Sequence, residues 1–89
     1  MDLGLGGRTA LVSGGSKGIG RAAASALAAE GVGITLVARN PEGLAAAAAS
    51  IRARSQVPVA TIAADLSRQE EVERVAASVA TPDILVNNA

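Results

Sequence analysis

Short apolar runs alternate along this chain with longer segments whose apolar residues return at helical spacing. Thr9-Ala10-Leu11-Val12-Ser13 is mostly apolar and is stopped at once by Gly14-Gly15. That pattern predicts a strand buried on both faces rather than a half-exposed one. From Gly18 to about Glu30, Ile19, Ala22, Ala23, Ala26 and Leu27 recur at helical intervals, and Gly31 is placed to end the helix in a left-handed conformation. Gly33-Ile34-Thr35-Leu36-Val37-Ala38 reads as a second strand. Asn40-Pro41-Glu42 then supplies an N-cap, a proline at the first helical position and an early acid, opening a helix that is expected to run to about Arg54.

Val57 to Ala64 reads as a third strand, with Pro58 near its start, where a missing N–H does least harm. Ser67-Arg68-Gln69-Glu70 has the form of a capping box, and Val72, Val75, Ala76 and Val79 follow at i, i+3, i+4 and i+7 on one helical face. Thr81-Pro82-Asp83 interrupts that helix, and Ile84-Leu85-Val86-Asn87 forms a fourth strand. Strands alternating with helices of this length predict an α/β fold with a parallel sheet and right-handed crossovers. The chain shows no linker, internal repeat or low-complexity tail.

Composition narrows the chemistry more than the architecture. At 89 residues the chain is one domain or part of one. Hydrophobic residues make up 49% and charged residues 18%, with a formal net charge of zero, which is a globular composition with no footprint for nucleic acid or an acidic membrane surface. Cysteine and histidine are both absent, so no disulfide framework is possible and no metal site is expected. Met1 to Arg8 has no basic, apolar leader pattern, and no stretch approaches the ~20 apolar residues of a membrane span, so a cytoplasmic location is expected. The chain also lacks aromatic residues, so its core must be built from Val, Ile, Leu and Ala by close backbone approach.

Between the first strand and the first helix lies Ser13-Gly14-Gly15-Ser16-Lys17-Gly18-Ile19-Gly20. A dinucleotide suits such a turn, because its pyrophosphate must approach the backbone closely at the positive end of a helix, where unpaired N–H groups point at it. Gly14 would make the turn, Gly18 would admit the phosphates and Gly20 would let helix and strand pack tightly. The alternative is that these glycines only permit a sharp strand-to-helix turn. A P-loop is excluded, since no Gly-Lys-Ser/Thr triplet exists.

With these segments in order, the whole chain resembles the short-chain dehydrogenase/reductase family. The family's Thr-Gly-x-x-x-Gly-x-Gly is similar to Ser13–Gly20, with Ser13 keeping the hydroxyl. Val37-Ala38-Arg39-Asn40 falls where the family chooses between nicotinamide cofactors, Asp65-Leu66 resembles its adenine-contacting pair, and Asp83–Ala89 resembles its Asn-Asn-Ala-Gly segment cut one residue short. Within the family, Ser16–Gly20 and Val37–Arg39 look most like the 3-oxoacyl-acyl-carrier-protein reductases.

The resemblance implies a Rossmann-like doubly wound parallel sheet, of which residues 1–89 would be the first, dinucleotide-binding half with strand order 3-2-1-4. It implies cofactor contacts from Gly14, Ser16, Lys17, Gly18, Ile19 and Gly20 at the phosphates, from Asp65 and Leu66 at the adenine, and from Asn88 and Ala89 at the ribose. Asn87 is expected to tie neighbouring strands together, and Asp65 has a second reading as the cap of the turn into the next helix. NAD-binding folds place a carboxylate at the end of the second strand, but Ala38 stands there, followed by Arg39 and with Lys17 in reach of the same region. These two cations favour NADP(H), with NAD(H) as the alternative, unless both are ordinary solvated charges.

The family's proton-transfer residues, a Ser, a Tyr-x-x-x-Lys pair and an Asn, belong after the segment that Ala89 closes, and this chain has no tyrosine. No residue is assigned a catalytic role. The expected parent is a carbonyl reductase or alcohol dehydrogenase acting on a small-molecule or acyl-carrier-bound carbonyl, and a homotetramer or homodimer. The competing readings are a catalytically silent nucleotide-binding fragment and an interaction half-domain whose open sheet edge pairs with another subunit.

Overall fold

The structure, a computed structural model, describes residues 7–14, 18–79 and 81–87, and of Ile19 the backbone alone. Seven elements alternate along the chain: β1 (Thr9–Ser13), α1 (Gly18–Ala29), β2 (Gly33–Ala38), α2 (Pro41–Arg52), β3 (Val59–Ala63), α3 (Gln69–Ser78) and β4 (Ile84–Asn87). The strands form one parallel sheet in the order β3-β2-β1-β4, as the sequence pattern and the family resemblance lead one to expect.

Register divides the sheet into two unequal faces. Ala10, Ile34, Val59 and Ile84 lie in one row and Val12, Leu36 and Val86 in the next, all on the face that carries α1 and α2. Leu36, Leu44, Ile51, Val12 and Val32 are fully buried there, each large aliphatic side chain contributing about 1.5–3 kcal/mol by leaving water. α2 presents Leu44, Ala47, Ala48 and Ile51 to this core. Its start is built as expected: Asn40 Oδ1 accepts from the N–H groups of Glu42 (2.9 Å) and Gly43 (3.3 Å), and Pro41 occupies the first turn.

The expected stripe of α1 is rotated in the structure. The buried positions are Gly20, Ala24 and Ala28, whereas Ala22 and Ala26 are exposed and Ala23 and Leu27 are half-buried. The line of closest contact with the sheet takes the smallest side chains, and the larger Leu27 packs at its flank. α1 ends as expected at Gly31 (φ +87°), whose N–H donates to Ala28 O while Val32 N–H donates to Leu27 O, the paired bonds of a left-handed helix stop.

The second face is thinly covered. Its core is Val37, Ala64 and Val75, with Leu11 and Ile62 half-buried beside them. Of the apolar face expected for α3 only Val75 is buried; Val72 is 40% exposed, Ala76 is exposed, and Val79 lies beyond the helix in an extended conformation. The capping box does not form. Ser67 gives its N–H and its hydroxyl to Asp65 Oδ1, Arg68 becomes the N-cap residue without a side-chain bond, and Glu70 pairs with Arg68 instead of reaching back. An aspartate two residues earlier out-competes the helix terminus for the serine.

β3 is shorter than the Val57–Ala64 span expected, because Pro58 joins the ladder only through its carbonyl, which accepts from Ile34 N–H at 2.9 Å. α2 stops at Arg52, two residues before the expected end. The alternate carbonyls of Val59 and Ala63 face away from β2 on this edge strand, and each is filled by an arginine: Arg52 donates to Val59 O and Arg74 to Ala63 O. At the opposite edge, Leu85 of β4 is 65% exposed.

Replacing Asn40 with alanine is expected to lower stability by about 1 kcal/mol, and replacing it with glycine by only a few tenths, in urea unfolding. Equal losses for the two variants would show that the Asn40 side chain does not cap α2.

Candidate functional site

In a parallel sheet all strands end at the same edge, and here that edge collects the residues singled out from sequence. β1 ends at Ser13 and is followed by Gly14, β2 by Arg39, and β3 by Ala64, Asp65 and Leu66. Gly14 turns the chain with φ +71°, anchored by its N–H to Val37 O at 2.8 Å, so the loop leaves β1 against the end of β2. α1 then begins at Gly18 (φ +46°). A methyl group built on Gly18 meets nothing within 4 Å, so the glycine leaves open space beside the helix start, and its backbone conformation disfavours any other residue.

The first turn of α1 carries no acidic residue, so its exposed N–H groups keep their positive potential uncompensated. Gly20 is buried on the sheet side, where it permits the close approach described above. A helix start of this kind, with open space beside Gly18, suits an anion. Ser16, Lys17, Asn88 and Ala89, also expected at this site, lie outside the described residues. Ile19 lies in the first turn of α1.

Arg39 is exposed directly after Ala38, and no carboxylate occupies the strand end. Its charge is felt at Asp65. The Asp65 carboxyl is held below the usual carboxylate range, chiefly by the Ser67 hydroxyl (2.7 Å) and the Ser67 N–H (3.0 Å); burial opposes this, and the Arg39 and Arg68 charges add smaller effects in the lowering direction. Asp65 is thus the turn cap that one sequence reading expected. Both bonds fall on Oδ1, which leaves Oδ2 as an acceptor at the same edge as Arg39 and Gly14. Leu66 is 36% exposed beside it.

Ser13 and Asn87 act together as structure. The Ser13 hydroxyl donates to Asn87 Oδ1 (3.0 Å) and lies 3.3 Å from Val86 O, tying β1 to β4 as expected for Asn87. Three contributors play parts that the sequence pattern did not assign to them. Asp83 Oδ2 accepts from the Thr9 N–H at 2.9 Å and so fixes the start of β4. Ser67 holds Asp65, and Arg74 holds the end of β3. The Asp-x-Ser spacing of residues 65–67 is a recognisable turn pattern that could have pointed to the first of these two. Among the described residues no cluster of acidic side chains could hold a metal ion, and no helix is long and apolar enough to cross a membrane.

A family profile described as short chain dehydrogenase matches residues 8–89. The chain is 43% identical over 90 residues to L-xylulose reductase of Mesocricetus auratus, a match that takes in 100% of this chain and 34% of that protein. Among solved structures it is similar to L-sorbose reductase from Gluconobacter frateurii complexed with NADPH and L-sorbose, with a TM-score of 0.88 and 43% identity over 100% of this chain and 35% of that one. The Pseudomonas aeruginosa RhlG/NADP active-site complex is similar with a TM-score of 0.85 and 40% identity, over 96% of this chain and 35% of that one. The chain spans about a third of the length of the curated relatives it matches.

The lowered pKa of Asp65 sets the sign of a pH effect. The tie to Ser67 contributes fully above the usual carboxylate range and is lost as pH falls through the depressed folded value. In a carboxyl NMR titration Asp65 is expected to titrate below an aspartate in an unstructured peptide, and Ser67→Ala to move it back upward. An unchanged midpoint in that variant would assign the shift to another cause.

Proposed function

This chain belongs to the short chain dehydrogenase family, and we propose that it supplies the cofactor-binding half of a single domain in an NADP(H)-dependent oxidoreductase that interconverts a carbonyl and an alcohol. The observation that carries the cofactor choice is the end of β2, where Ala38 and an exposed Arg39 stand in place of an acid, close enough to Asp65 for the arginine's charge to bear on it. A carboxylate there would accept from a free ribose hydroxyl; a guanidinium instead matches a 2′-phosphate.

The residues present fit that group. Gly14, Ser16, Lys17, Gly18, Ile19 and Gly20 would hold the pyrophosphate, and the open space at Gly18 supports this placement. Arg39, with Lys17, would take the 2′-phosphate. Asp65 would accept from the adenine amino group through Oδ2, with Leu66 against the ring, and Asn88 and Ala89 would line the ribose. When bound, the cofactor supplies or accepts the hydride. The residues of this chain bind and orient it; with no tyrosine, histidine or cysteine among them, none is assigned the proton transfer.

For the substrate of the whole protein, a ketose or the corresponding polyol is favoured, because the similar L-xylulose and L-sorbose reductases are named for such compounds. The narrower reading as a 3-oxoacyl-acyl-carrier-protein reductase rests on Ser16–Gly20 and Val37–Arg39, a segment pair that concerns cofactor rather than substrate. Family likeness supports a homodimer or homotetramer. NADPH-dependent turnover of L-xylulose or L-sorbose against a 3-oxoacyl thioester separates the two substrate readings.

Arg39→Ala is expected to weaken NADPH binding about ten- to a hundredfold, the size of one charge-assisted contact, and to change NADH binding far less. Calorimetric titration of both cofactors measures this. An unchanged NADPH to NADH affinity ratio would show that Arg39 is a solvated surface charge.

A further inference from the structure

Arg74 lies on α3, outside the glycine loop and outside the segments assigned to the cofactor. It nevertheless makes two directed contacts. One guanidinium nitrogen, Nη2, donates to Ala63 O at 2.8 Å, and Nε donates to Glu71 Oε2 at 2.7 Å. Exposed arginine–glutamate pairs ordinarily contribute little to stability. This pair is different in what it holds: the second contact fixes the orientation of a planar fork whose other branch takes a main-chain carbonyl two residues before Asp65.

Neighbouring contacts converge on the same short segment. Val75, the next residue of α3, packs with Val37 and Ala64, joining the ends of β2 and β3. The Glu71 carboxyl is held below the usual range chiefly by Arg74, and the Asp65 backbone N–H contributes in the same direction. Ala64 N–H donates to Ala38 O at 2.9 Å, so the main chain leading into Asp65 is also joined to the residue that precedes Arg39. Residues 63–64 are therefore gripped from α3 by Arg74 and Val75 and from β2 by Ala38.

We propose that Arg74, oriented by Glu71, is a positioning residue for the adenosine end of the site, setting the direction in which β3 delivers Asp65 next to Arg39. The inference rests on the reading of Asp65 and Arg39 given above. Arg74 itself touches no ligand; it acts through the Ala63 carbonyl.

The test titrates two probes into the protein and its variants by NMR. Adenosine 2′,5′-bisphosphate carries the adenine and the 2′-phosphate; reduced nicotinamide mononucleotide carries neither. Arg74→Met keeps the stem but removes both donors, and is expected to weaken the adenosine probe about fivefold, as for loss of roughly one hydrogen bond, with the nicotinamide probe unchanged. Arg74→Lys keeps the charge but not the fork, and is expected to show the same split at smaller size, which serves if the methionine variant does not fold. Equal weakening of both probes, or no change in either, overturns the positioning role. Failure of the unsubstituted protein to bind the adenosine probe would instead overturn the reading of Asp65 and Arg39 on which it stands.

Discussion

How near α1 can come to the sheet governs the rest of this molecule. Gly14 leaves β1 bonded to the end of β2, and only a short loop separates it from the first residue of α1. A helix started so soon can lie across the strands only if nothing bulky stands between them. The line Gly20, Ala24, Ala28 meets that condition, and in a chain without a single aromatic residue it is the main way to close the gap. The same closeness starts α1 at the sheet edge where β2 and β3 lead out to Arg39 and Asp65.

The two faces divide the labour. α1 and α2 cover one face, and most of the large aliphatic side chains that leave water do so there. On the other face α3 rests on Val75, and polar contacts take over: Ser67 to Asp65, Arg74 to Ala63, Arg68 to Glu70. Hydrophobic burial sets the position of the sheet, while directed bonds set the last residues of its strands, which are the ones with chemistry to offer.

What could be read from sequence follows that division. Strands β1, β2 and β4, the Asn40 cap and the Gly31 stop were legible because each is specified by residues adjacent to it, and the strand order came with the family resemblance. The placing of Gly14, Arg39 and Asp65 at the strand ends was legible for a related reason, since each directly follows a strand or lies just beyond its end. The phase of α1 was misjudged because a stripe of alanines gives helical spacing without saying which alanine is nearest the sheet. The apparent capping box at Ser67 failed because the same serine suits two local partners, and Asp65 is the stronger one. Arg52 and Arg74 were invisible, since a side chain reaching a main-chain carbonyl in another element leaves no local pattern.

Those two arginines also give the sheet a polarity across its width. At β3 the outward carbonyls of Val59 and Ala63 are already occupied, so a strand arriving there finds fewer acceptors; at β4 the rim carries the exposed Leu85. Further strands are thus received more readily beside β4 than beside β3, where two main-chain acceptors are already taken, so the sheet has a preferred direction of extension.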